Sequence, residues 1–339
     1  MEQRGIPTVS VFTSAFAPLA KTEARTLGIE NFHLVEVPHP LESMEEAEIV
    51  KVVDAIIEAT ANGLMGDRSV QAEAAGRPAR QEQKAERLLR FEGSEQELCE
   101  WLLEQGWTDG LPVIAPTPER VEAMLAGTQR DPKTVIGTIP LRWAELTVEK
   151  LAVNAVMAGC APAYMPVLIA ALEALSSPPF NLFGIQATTN PAGPMLVVNG
   201  PVADQVGIQK GAGALGPGWR ANVTIGRAVR LALMNVGGGL PGDTDRATQG
   251  MPGKLFFCFA ENEGLSPWEP LQVEKGLSRD ASTVTVFSAT GTLNLLEQGS
   301  TSGEGLLKTF ASALRVTGTN NILLGGEPVL IIGDRKSVV

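Results

Sequence analysis

Histidine is almost missing from this sequence. Only His33 and His39 occur in 339 residues, so no imidazole follows residue 40. That excludes a Ser-His-Asp triad, a His-Glu-x-x-His zinc site and a His-rich metal cage from the main body of the chain. Cysteine is scarce too: Cys99, Cys160 and Cys258 lie far apart and form no Cys-x-x-Cys pair. This argues against a disulfide framework or a structural zinc and fits a reducing cytoplasm. Aromatic residues make up 5% of the chain, too few for platforms that stack single-stranded nucleic acid. Positive charge is in deficit, with a formal net charge of −11, which disfavours DNA, RNA and anionic membrane surfaces as partners. No apolar run reaches the length of a membrane span, and no signal peptide is recognisable. The expectation is an acidic cytoplasmic protein with no metal and no nucleic-acid or membrane partner.

What is present is enough chain for two domains, with 36 Gly and 23 Pro to build loops. Gly5 to Phe16 reads as a buried strand. A short helical pattern follows and closes at Gly28. A second strand runs from Phe32 to Val37 and ends in Pro38-His39-Pro40. Glu42 to Gly63 is an amphipathic helix pattern with Ile49, Val52, Val53, Ile56 and Ile57 inward. Strand–helix–strand–helix with short connections predicts parallel strands, so residues 1–64 read as a partial Rossmann-like α/β module, cut at its N-terminus. Residues 65–93 are polar and charge-mixed and read as a linker, partly helical toward Leu89.

Residues 94–333 read as a larger α/β domain. Ser94 and Glu97 form a capping box for a helix to Gln105, with Cys99 as a small buried residue on it. Leu111–Pro116 reads as a strand, with Thr117 capping the helix after it. Similar proline-opened apolar runs recur at Pro194–Pro201 and Pro328–Gly333, a pattern that suggests internal repeats. Leu255–Ala260 and Ser282–Ser288 supply further strands; Thr147–Met157, Met165–Leu175 and Gly303–Leu314 supply helices. The closing residues Asp334–Val339 resemble what a short-read sequencing adaptor encodes in one frame. They are expected to be non-native, with the natural chain continuing past Gly333.

The stretch with most chemical promise is the glycine-rich run Gly211–Gly218 leading into a helix that carries Arg220, Arg227 and Arg230 on one face. Gly211-Ala-Gly-Ala-Leu-Gly216 fits G-x-G-x-x-G, but nine residues separate it from the preceding strand. Pro217-Gly218 interrupts the helix start, and no acid occurs until Asp243, so a dinucleotide is a poor fit. Gly216 and Gly218 fit better as backbone lining for a carboxylate or phosphate, with Arg220 as clamp and Asn222 and Thr224 as hydrogen-bond donors. The alternative is that Arg220 and Arg227 pair with acids of the domain itself. Gly250-Met-Pro-Gly-Lys254 is not a Walker A loop, because Leu255 stands where Ser or Thr must bind magnesium. Cys160, just past a helix end at Gly159, is a candidate nucleophile or a packed thiol, whereas Cys258 is core. Glu261, Asn262 and Glu263 directly follow a strand, where parallel sheets hold ligands, and are candidate acid/base or positioning groups. Thr188, Thr189 and Asn190 precede another strand as candidate substrate-binding groups. Gly237–Asp243 is a loop able to close over a ligand.

The first sixty or so residues, with GIPTVSVFTSAFAPLA, TEARTLGI and VEVPHPL, resemble the C-terminal part of the UGSC family of (seleno)proteins. More distantly they are similar to the selenoprotein B component of glycine reductase. The family's Cys- or selenocysteine-Gly-Ser-Cys motif belongs upstream of Gly5 and is not among these residues, so no redox pair carries over. The resemblance implies that Thr13, Ser14 and Phe16 after one strand, and Pro38, His39 and Pro40 after the next, face that thiol or selenol. Residues 97–333 look like the larger domain that accompanies this module in some bacterial proteins. The resulting expectation is a thiol- or selenol-dependent redox enzyme acting on a small anionic organic compound. Its reaction would be reductive carbon–heteroatom cleavage, with an external thiol as reductant and no bound cofactor. A lyase or hydrolase within the larger domain, a non-catalytic ligand-binding subunit, and a homo-oligomer or reductase complex are the other expectations.

Overall fold

The computed structural model describes residues 7–26, 28–29, 32–39, 41, 44–65, 88–297, 299–315 and 328–332. The chain divides into two compact units, Met1–Gly93 and Ser94–Val339, and the fold is mixed α/β.

In the first unit β1 (Ser10–Thr13), α1 (Ala17–Thr26), β2 (Leu34–Val37) and α2 (Glu46–Leu64) follow one another. β1 and β2 pair in parallel from Ser10↔Leu34 to Thr13↔Val37, as a strand–helix–strand unit requires. Ala17, Leu19, Ala20 and Ala24 are the buried face of α1, and Gly28 takes the left-handed turn beyond it at φ +70°. A capping box between Glu45 and Glu48 starts α2. Two expectations need correction. β1 is short rather than deeply buried, with Val11 about half exposed. Ile49, Val53 and Ile57 of α2 are exposed instead of inward, and Gly63 is the one buried residue of that helix. The reason is size: two four-residue strands cannot cover one face of a 19-residue helix. Leu88–Gly93 are not helical. Most of the expected linker, 66–87, and the expected non-native tail, 334–339, lie outside the described residues.

The second unit opens with α3 (Glu95–Glu104), where Ser94 N donates to Glu97 Oε2 at 2.7 Å in the expected capping box. α4 (Pro118–Leu125) is capped by Thr117. β3 (Val135–Ile139) and β4 (Ala144–Thr147) form an antiparallel hairpin not anticipated from the sequence. α5 (Val148–Ala158) is capped by Thr147 and ends at Gly159 with φ +84°. α6 (Met165–Ser176), α7 (Leu182–Ala187), β5 (Gly193–Asn199), α8 (Pro201–Gln205), α9 (Arg220–Asn235), β6 (Cys258–Ala260), α10 (Leu271–Glu274), β7 (Thr283–Ala289) and α11 (Gly303–Leu314) complete it.

The main sheet has the order β6-β5-β7, with β5 parallel to β6 and antiparallel to β7. Alternation along β5 divides the core. Leu196 and Val198 join Cys258, Ala260 and residues of α5, α6 and α9 in the large cluster. Met195 and Val197 turn to the other face, with Phe257 and Phe259. α9 lies directly on the backbone that leads into β6: a Cβ at Gly226 would fall 2.7 Å from Phe257 N and 3.0 Å from Phe256 Cα. Among the described residues, no single helix is long and apolar enough to cross a membrane.

Of the three proline-opened apolar runs, only Pro194–Pro201 contains a strand. Leu111–Pro116 runs between elements without pairing, because its backbone is bonded elsewhere. Arg227 takes the Leu111 and Pro112 carbonyls at 3.2 and 2.9 Å, and Ile114 N donates to Met157 O at 3.2 Å. Residues 328–332 form no strand, and Val329 to Ile332 are exposed. The three runs therefore do not share a structure, and no repeat is formed by them.

The stretch after α3 is anchored by one ion pair. Arg227 donates from Nε to Asp109 Oδ2 at 2.7 Å and from Nη2 to Asp109 Oδ1 at 2.8 Å, with side chains 11% and 3% exposed. Burial by itself would raise the Asp109 carboxyl, but Arg227 together with backbone N–H donors, Leu111 N among them, holds the group below its ordinary value. A lowered folded-state pKa stabilises fully above the unfolded value, near ~3.9, and the contribution fades as pH falls through the folded value. Replacing the guanidinium by an apolar chain, Arg227→Met, leaves a buried carboxylate without its counter-charge and is expected to cost about 3–5 kcal/mol at neutral pH. Urea unfolding of both proteins should show that difference at pH 7 and a smaller one below about pH 4, where Asp109 of the variant is neutral.

Candidate functional site

The carboxyl ends of β5 and β6 bring a buried polar cluster together. Asn199, the last residue of β5, is fully buried, a position forced by the strand's apolar neighbours on both faces. Its Nδ2 donates to Glu261 Oε2 at 2.6 Å and to Glu263 Oε1 at 3.2 Å. Gly200 N adds a bond to Glu263 Oε1 at 2.6 Å. Gly200 holds φ +81°, and a Cβ there would fall 2.2 Å from Ala281 O, so only glycine fits. Gln272 on α10, also buried, donates from Nε2 to Glu263 Oε2 at 3.2 Å. Leu271 N donates to Glu261 Oε2 at 2.9 Å.

The two carboxylates are therefore not equivalent. Both oxygens of Glu263 are bonded, so it ties the β5–α8 turn to α10. Glu261 is held through Oε2 alone, and its Oε1 takes no hydrogen bond among the described residues. A carboxylate clamped at one oxygen and open at the other can accept or return a proton at a fixed position. Asn199 Oδ1 and Gln272 Oε1 are enclosed without hydrogen-bond partners among the described residues. Asn199 and Gln272 were not anticipated from the sequence. The available signal was an amide closing an otherwise apolar strand, Met195-Leu-Val-Val-Asn199.

The other expected site residues lie elsewhere or are occupied. Asn262 sits between the two glutamates, and its carbonyl accepts from Leu265 N and Ser266 N. Thr188, Thr189 and Asn190 precede β5, so the seven residues of that strand place them roughly 20 Å from Glu261. There Thr188 Oγ1 accepts from Asn190 N at 3.1 Å, and Thr189 O accepts from Thr248 N at 2.9 Å. The loop before α9 is filled from within. Asn222, buried, accepts from Gln209 N at 2.8 Å and donates to Gln209 O and Ala214 O at 3.1 Å each. Gly216 N closes a turn on Gly213 O, and Gly218 has φ +105°. Arg220 donates Nε and Nη2 to Gly159 O at 3.2 and 3.0 Å, satisfying the end of α5. The expected anion corner is thus occupied by the protein's own backbone.

Cys160 Sγ donates to Thr224 O at 3.2 Å, and burial pushes its thiol up to about 12. Burial also raises Cys258. Burial disfavours the thiolate at both, which weighs against Cys160 as the expected nucleophile. Among the described residues no group of three His, Cys, Asp or Glu is placed to hold a metal ion.

In the first unit the parallel pair also converges at its carboxyl end. Thr13 Oγ1, closing β1, lies 3.1 Å from His39 Nδ1, and the Phe16 ring meets His39 edge-on at 5.8 Å. Residues 1–66 match the family model described as the UGSC family. This segment is similar to the UGSC family. The Thr13–His39 contact is inside the UGSC segment, whereas Glu261 and its cluster are outside it. No curated protein and no solved structure matches the chain.

Thiol labelling checks the cysteine assignment. In the folded protein at pH 8, iodoacetamide is expected to modify half-buried Cys99 and to leave Cys160 and Cys258 intact. Mass spectrometry of peptides before and after unfolding reads the outcome, and rapid native labelling of Cys160 would contradict it.

Proposed function

We propose that the second unit is an enzyme that moves a proton on a small organic substrate, as a lyase or hydrolase does, with Glu261 as the acid/base group. The supporting observation is the asymmetric hold on that carboxylate: two donors fix Oε2 and Oε1 stays open, at the carboxyl ends of two parallel strands. Asn199 positions Glu261, and Glu263 keeps Asn199 and Gly200 in place. The three free cysteines fit a reducing, cytoplasmic setting for this activity.

A second reading has its own support. A thiol- or selenol-dependent redox step on a small anionic compound, drawing on an external thiol, would use the UGSC segment. The match over residues 1–66 and the Thr13–His39 contact favour it. Burial raises the thiols of Cys160 and Cys258 and weighs against either as the nucleophile for that step.

Small esters, lactones and hydroxy acids incubated with the full chain in deuterated water, followed by NMR, separate the two. Removing one well-placed acid/base group lowers turnover by about 10²–10⁴-fold. Glu261→Gln should show a loss of that size with little change in thermal stability. Wild-type turnover in Glu261→Gln would overturn the assignment. Turnover that requires added dithiol and survives Glu261→Gln would favour the redox reading.

A further inference from the structure

The opposite end of β5 carries an imbalance of charge that none of the preceding roles uses. Asp245, buried in the loop between α9 and β6, accepts from Lys254 Nζ at 2.7 Å and from Arg230 Nη2 at 3.2 Å. Both cations are nearly enclosed, with side chains 12% and 11% exposed. One buried carboxylate thus faces two buried cations. The next acid to act on Arg230 is Asp109, but its two oxygens are engaged by Arg227. Asp243 is exposed and forms no ion pair among the described residues. The residue after Asp245 is Arg246, half-buried, with Nε enclosed and without a hydrogen-bond partner.

Enclosed positive charge without a counter-charge is costly, and burial already works against the charge on Arg230. A fold keeps such an excess where a negative group completes it. Donors remain for that group: among the described residues only Nη2 of the Arg230 guanidinium is bonded, and Arg246 Nε is free of partners. The place is defined by packing. A Cβ at Gly193, the first residue of β5, would fall 3.0 Å from Lys254 Cγ, so the glycine admits the lysine stem. Thr248 N and Oγ1 donate to Thr189 O at 2.9 and 3.2 Å and pin the loop beside the start of the strand.

We propose that Arg230, Lys254 and Arg246 form a binding site for an oxyanion, a carboxylate or phosphate group, at the amino end of β5. Guanidinium groups match the paired oxygens of both, and Asp245 holds two of the cations in position. The site is independent of Glu261, which lies past the other end of the sheet.

The test uses the full chain in chloride buffer, with inorganic phosphate and acetate titrated separately at constant ionic strength. Thermal unfolding and calorimetry read binding. A ligand of the folded state raises Tm in a saturable way. The wild type should show this with phosphate alone if the site takes phosphoryl groups, and with acetate as well if it takes carboxylates. Arg246→Met should abolish the rise, and without anion it should unfold no lower than the wild type, since it removes an unpartnered buried donor. Arg246→Lys, which keeps the charge, should bind about tenfold more weakly, and it serves if the methionine variant fails to fold. A flat wild-type titration, or an equal rise in the Arg246 variants, would overturn the site while leaving the reading of Glu261 untouched.

Discussion

Three arginines on one face of α9 each require acceptors, and what they find organises the second unit. Arg220 takes the Gly159 carbonyl that caps α5, Arg227 takes Asp109 with the Leu111 and Pro112 carbonyls, and Arg230 takes Asp245. The opposite face is apolar and sits in the main core beside α5 and the sheet. One helix therefore fixes the end of another helix, the segment after α3 and the loop before β6. Each tie joins parts far apart in sequence, which local helix propensity could not do.

β5 gives this arrangement an axis. Its side chains alternate between two apolar clusters, so polar chemistry is driven to its ends. At the carboxyl end an enclosed amide meets two carboxylates; at the amino end an enclosed carboxylate meets one ammonium and one guanidinium group. The two ends have opposite excess charge and are separated by apolar strand.

Elements with their own start and stop signals were legible in the sequence. The Ser94–Glu97 box, the Thr117 cap and the glycines at 28 and 159 bound helices close to where the structure has them. Apolar runs were less informative. Leu111–Pro116 and residues 328–332 have strand composition, but a strand is a pairing relation, and arginine and helix-end groups took the first run's backbone. At the site, Glu261 and Glu263 stood out because they follow a strand. Arg220 and Asn222 stood out as well, yet their partners are backbone carbonyls and amides, which leave no mark in a sequence. The same blindness hid Asn199, whose meaning depends on residues more than sixty positions away.

Gly226 gives α9 its seat, with the helix meeting the backbone just before β6 where a side chain would otherwise stand. Backbone resting on backbone leaves no rotamer to adjust, so the helix has a hard stop instead of a cushion. Arg227 and Arg230, one and four residues on, inherit their reach from that stop. Asp109 and Asp245 are thereby gauged against a single mechanical datum, and a shift of the helix at this one contact would loosen two charge clusters together, without touching either.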